Sequence, residues 1–99
     1  INALENQEAS NDSIYISWLD REIRTINKGD EFSYVEHIQS GRKFDIPNSY
    51  IRNENECFDY TDYILPVNKG DKLSLITKTS KGCIVKKDGI IGWYLGKYV

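Results

Sequence analysis

Apolar positions along this 99-residue chain recur at every second residue over short stretches, and nowhere do they keep helical spacing through three turns. Ser13–Leu19, SIYISWL, sets Ile14, Ile16 and Trp18 or Leu19 in one register, with β-branched and aromatic neighbours, and predicts a strand. Glu31–Ile38, EFSYVEHI, alternates in the same way. Gln39–Arg42 reads as a turn, and Lys43–Ile46 as another strand because Pro47 holds the residue before it extended. Further on, Asp71–Lys78 places Leu73, Leu75 and Thr77 on one face, and Lys78–Gly82 turns the chain. Cys83–Lys87 and Ile90–Leu95 then flank Asp88-Gly89, a dipeptide suited to a two-residue hairpin. The first twelve residues have scattered apolar positions without a period and read as a short helix, a linker or a frayed tail. Short strands with a turn every eight to twelve residues or so predict an all-β sandwich or barrel.

The pattern also repeats. Ile26–Val35, INKGDEFSYV, returns as Val67–Ile76, VNKGDKLSLI, with Asn-Lys-Gly-Asp and the following serine unchanged. Each copy is expected to be a turn whose glycine supplies a positive φ, followed at once by an alternating strand. A phosphate loop would need a different glycine spacing and a helix after it.

Composition narrows the function classes. At 39% hydrophobic and 12% aromatic the chain can bury one ordinary core or two very small ones, which is too little for a large enzyme with a deep pocket. A net charge of -2, with basic residues dispersed, argues against nucleic acid as a partner. No apolar run is long enough to span a membrane, so insertion is not expected. The sequence has no methionine, which suggests an excised or processed segment. Cys57 and Cys83 lack the close spacing of a zinc site or redox motif and read either as a disulfide, which would point to an oxidising compartment, or as two buried thiols.

Ile64–Val99 resembles the bacterial SH3 family of small β-barrels, common in secreted and cell-envelope proteins. The residues that carry the likeness are Lys69-Gly70-Asp71, the strand Leu73–Ile76, Gly82, Asp88-Gly89, Gly92-Trp93 and the closing Tyr98-Val99. Ser49–Glu56 is similar to a degenerate opening segment of that family, with Ile51 and Arg52 in place. The earlier copy aligns through Lys28-Gly29-Asp30 and Ile46–Ile51 but is shorter and lacks the Gly-Trp step and the Asp-Gly hairpin. The resemblance implies SH3-like barrels in two tandem units: an extension at 1–12, an abbreviated unit at 13–48 and a fuller barrel at 49–99. It also implies that Cys57 and Cys83 lie at the same end of the barrel, where a disulfide would join them. One departure bears on ligands: Gly82-Cys83 stands where such barrels often carry tryptophan after the glycine, so the aromatic walls of a polyproline groove are missing.

The aromatic loop Cys57–Tyr63, CFDYTDY, flanks the usual ligand face of such a barrel. Tyr60 and Tyr63, with Asp59 and Asp62 between them and Trp93 and Tyr98 beside them, are therefore the expected ligand-binding residues. His37 is the only histidine and reads as a surface residue, so catalysis is not expected. Neither a metal site nor a cofactor is expected: the carboxylate pairs Asp59 with Asp62 and Glu54 with Glu56 lack the bend glycine and oxygen density of calcium loops. The function expected is a non-catalytic binding module that recognises peptidoglycan or a protein, in a periplasmic, envelope or secreted setting. The alternative is an inhibitor or immunity-type protein that docks on a partner enzyme.

Overall fold

The computed structural model describes Ile1–Val99. Its regular structure is all β apart from one 3-10 turn, in small sheets of two or three strands. The chain forms two compact units: a middle unit, Tyr15–Tyr60, and a terminal unit that joins Ile1–Ile14 to Thr61–Val99. This division differs from the expected one into 1–12, 13–48 and 49–99, because the first residues pair with the last third of the chain.

The middle unit opens with β1 (Tyr15–Ile16) and continues with β2 (Ile23–Lys28), β3 (Phe32–His37) and β4 (Lys43–Pro47), which form an antiparallel meander in the order β2-β3-β4. A 3-10 turn at Asn48–Tyr50 leads into β5 (Ile51–Asn53), which pairs with β6 (Glu56–Cys57). The strand expected over Ser13–Leu19 is thus only two residues long, and Trp18-Leu19 belong to a turn. In β3 the alternation is real, but the buried side is Ser33, Val35 and His37, while Tyr34 points outward. The aromatic residue loses this competition because the hydroxyl of Ser33 has an inward partner, donating to Asn48 Oδ1 at 2.6 Å. Asn48 in turn donates to the carbonyls of Gly29 and Asp30, which closes the Asn-Lys-Gly-Asp turn between β2 and β3.

The terminal unit contributes β8 (Ser74–Lys78), β9 (Cys83–Lys87) and β10 (Ile90–Tyr94), again an antiparallel meander, preceded by the short β7 (Tyr60–Thr61) at its entry. Asp88 and Gly89 both have positive φ, 51° and 81°, with Lys87 paired to Ile90. That is the two-residue hairpin expected from the sequence, with both central residues left-handed as a type I′ turn requires. Gly70 also takes a positive φ of 95°, as expected. Gly29 does not; its need is space, since a Cβ there would lie 2.3 Å from the Phe32 carbonyl oxygen. The two copies of the repeat therefore use their glycine for different reasons. Nor do they fill the same role in a sheet, because β3 is central in its meander and β8 lies at the edge.

Ile1–Ile14 is not a tail. Asn2 N donates to Val99 O, Leu4 N to Lys97 O and Gln7 N to Val67 O, while Ala3 sits in the unit's core with Leu65, Val67, Leu73, Cys83, Val85 and Tyr94. No periodicity announced it because the segment is held by isolated bridges to two different parts of the chain and not by a continuous ladder. Leu75, expected on one face with Leu73, is 45% exposed in the edge strand β8, whereas Leu73 is buried.

Candidate binding surface

The residues expected to bind ligand are mostly used in packing. Tyr60 is 6% exposed; its ring stacks on Phe44 (centroids 5.8 Å apart, 12° between planes) and meets Tyr50 edge-on at 5.4 Å. Trp93 is also buried, and its Nε1 donates to the carbonyl of Thr61 at 3.2 Å. It follows Gly92, where a Cβ would meet Tyr63 O at 2.8 Å, so the glycine admits a close strand approach that Trp93 N and Leu65 N complete through bonds to Tyr63 O and Trp93 O. Asp62 accepts from Ile14 N at 2.8 Å, and the Thr61 hydroxyl donates to Ile14 O at 2.7 Å. Tyr63 and Tyr98 are half-buried against the terminal core, and of these six residues only Asp59 is exposed. Within the aromatic loop Cys57, Tyr60 and Thr61 are thus buried, while Phe58 and Asp59 are exposed.

The expected disulfide is a correction. Cys57 and Cys83 are both free thiols and both buried, one in each unit. Burial, the largest cause, pushes the Cys57 thiol up to about 11, and its Sγ donates to the Arg21 carbonyl at 3.6 Å. A protonated thiol is a poor nucleophile at neutral pH. His37, expected at the surface, is 2% exposed. Its Nε2 bonds the carbonyl of Asp20 at 2.5 Å, and because a carbonyl only accepts, the proton sits on Nε2. Nδ1 then accepts from the Ser40 hydroxyl at 2.7 Å. The imidazole ties the turn at Asp20 to the turn at Ser40.

What is exposed instead is the turn Ser17–Asp20. Asp20 Oδ1 accepts from Ser17 N at 2.8 Å and from the Ser17 hydroxyl at 3.3 Å, and Asp20 N donates back to Ser17 O. With Asp20 anchored on the buried His37, the two residues between are forced outward: Trp18 is 68% and Leu19 75% exposed. Ile38, exposed on the neighbouring turn, is held there by a bond from its N–H to Glu22 O. A groove of about 290 Å³ runs between these turns, lined by Trp18, Leu19 and Ile38 on its apolar side and by Asp20, Glu22 and Glu56 among its polar residues. Glu22 and Glu56 pair across an isolated bridge, so both face the same place. A second depression of about 530 Å³, lined by Glu22, Asn53, Glu54, Asn55 and Glu56, shares two of these carboxylates. A larger hollow of about 640 Å³ lies by the Asn-Lys-Gly-Asp turn, but Ser33 and Asn48, which line it, are already committed to that turn.

Sequence reasoning missed the turn because Trp18-Leu19 continued an apolar alternation. The available signal was Ser17 followed three residues later by Asp20, a pair that closes a turn and ejects what lies between. Compared with protein-family models, with curated proteins and with solved structures, the chain matches none of them.

Proposed function

We propose that this chain is a non-catalytic binding module, built from two SH3-like units, that docks a protein partner in a cell-envelope or secreted setting through the Trp18–Leu19 turn. The observation that carries this reading is the exposure of two large apolar side chains at the tip of a turn fixed by Asp20, beside a third at Ile38. Small domains do not gain stability from such a tip, and tryptophan is enriched among the residues that anchor interfaces. A three-stranded meander and an Asn-Lys-Gly-Asp turn in each unit, and the Asp88-Gly89 hairpin in the terminal one, support the SH3-like assignment. The 3-10 turn at Asn48–Tyr50 after β4 is a further point in the middle unit. The raised Cys57 thiol supports a role without catalysis. A protein suits the turn better than peptidoglycan, because Leu19 and Ile38 have nothing to offer sugar hydroxyls.

Affinity capture with the immobilised wild type and with a Trp18→Ser, Leu19→Ser variant tests the proposal, alongside co-sedimentation with purified peptidoglycan. One stoichiometric protein retained by the wild type and lost by the variant is the expected result. Co-sedimentation with peptidoglycan that the variant leaves intact, without any such protein, would refute the reading. Both residues are exposed, so the variant should keep the wild-type melting temperature.

A further inference from the structure

We infer that the segment received by the Trp18 groove is basic and partly apolar: a lysine or arginine of the partner flanked by an aliphatic side chain. This rests on the docking reading above and adds the chemistry of the occupant. The apolar side of the groove, Trp18, Leu19 and Ile38, accounts for the aliphatic part. The charged part follows from the rim.

Asp20, Glu22 and Glu56 line the groove, and Glu54 joins them in the adjoining depression. The cations facing the same region are Arg21, which also lines the groove, and Arg52, which is spent on Glu56 at 3.7 Å. Behind the wall, His37 is bonded through both ring nitrogens. Asp20 and Glu56 are partly occupied within the chain, Asp20 by Ser17 and Glu56 by Asn53 Nδ2 at 3.0 Å. Glu22 and Glu54 form no ion pair within the chain and remain for a partner's cation. The excess of carboxylates belongs to the unit as a whole, which holds nine of the chain's fifteen Asp and Glu residues but six of its thirteen Lys and Arg residues.

An anionic partner would face these carboxylates at close range, and like charges brought together at an interface select against it.

The test uses the full chain and a short synthetic peptide in which lysines flank a leucine, beside the same peptide with glutamates for the lysines. Trp18 is the reporter, since Trp93 is buried and Trp18 is not: binding should shift the emission to the blue. The lysine peptide is expected to bind, to weaken as salt rises, and to lose about tenfold in affinity in the Glu22→Gln, Glu54→Gln variant, whose circular dichroism should match the wild type. Equal binding of the glutamate peptide, or no effect of the glutamine changes, would overturn the inference. If the wild type self-associates and Trp18→Ser abolishes it, the occupant is a second copy and the inference also falls. Partner capture separates the two readings: if it is lost with Trp18→Ser but kept with the glutamine variant, docking stands and the basic occupant does not.

Discussion

Gln7 gives the sharpest test of the claim that the first residues belong to the terminal unit. Its side-chain amide donates to Leu65 O and to Trp93 O, each at 2.8 Å, and its Oε1 accepts from Leu95 N at 2.8 Å. One side chain thus ties the segment before β8 to the end of β10. The main-chain bonds of Gln7 with Val67 would survive truncation, so Gln7→Ala isolates the amide. Three bonds at about 0.5–1.5 kcal/mol each bracket the loss at about 1.5–4.5 kcal/mol. The rotamer freedom regained by the side chain, and water reaching a half-buried site, bring the expected value to about 2 kcal/mol. In urea, with a slope of about 1–1.5 kcal/mol/M for a protein of this size, the midpoint should fall by about 1.3–2 M with the slope unchanged. Gln7→Glu should be worse than Gln7→Ala at neutral pH, because it turns a carboxylate toward two carbonyl oxygens. That carboxyl, raised in the folded state, should regain part of the stability as pH falls and the acid can donate again. The reasoning fails if Gln7→Ala costs under about 0.5 kcal/mol, a value within the range of indifferent surface changes.

Tyr60→Ala should cost about 3 kcal/mol in the same assay, since it removes a ring buried between Phe44 and Tyr50; unchanged stability would return Tyr60 to the surface. Gly89→Ala should cost about 1 kcal/mol through backbone strain alone, because its φ is 81° and nothing lies within 4 Å of a Cβ there; a neutral result would mean the turn is not left-handed. Thiol titration of the unreduced, denatured protein should find both cysteines. In the folded state Cys57, raised by burial, should resist alkylation at pH 8, and its contribution to stability, complete below the unfolded value of 9.0, should be lost as pH rises through about 11. The Lys87 ammonium, 2.8 Å from Asp71, holds that carboxyl below its ordinary 3.8, helped by the Asn68 N–H, so the stability from this pair should be present above 3.8 and be lost as pH falls through the lowered value; Lys87→Met should move the titration, read by NMR, up toward the ordinary value while the Asn68 bond keeps part of the shift.

Where the controlling residues are neighbours in the chain, the sequence was legible. Asp88-Gly89 specifies its own turn, Gly41 takes a positive φ between β3 and β4, and β4 ends at Pro47. These outcomes depend on local backbone sterics, so a few residues suffice to read them. The periodicity of β3 was equally clear, yet its inward side was not, because Ser33 is buried through a partner fifteen residues away and His37 through Asp20 on another turn.

The sequence by itself determined an all-β chain of short strands and the positions of its main turns, since these follow from side-chain alternation and from the φ that glycine and proline allow. Only the tertiary structure decided that Ile1–Ile14 closes the unit of Thr61–Val99, that the two cysteines stay apart as buried thiols, and that Tyr60 and Trp93 pack while Trp18 and Leu19 protrude. Burial is the difference between segments far apart in the chain that do and do not find each other, and Tyr60 and Trp18 have nothing in their own neighbourhoods to separate them. Phe44 stacks on the one, and Asp20, fastened to His37, turns the other toward solvent.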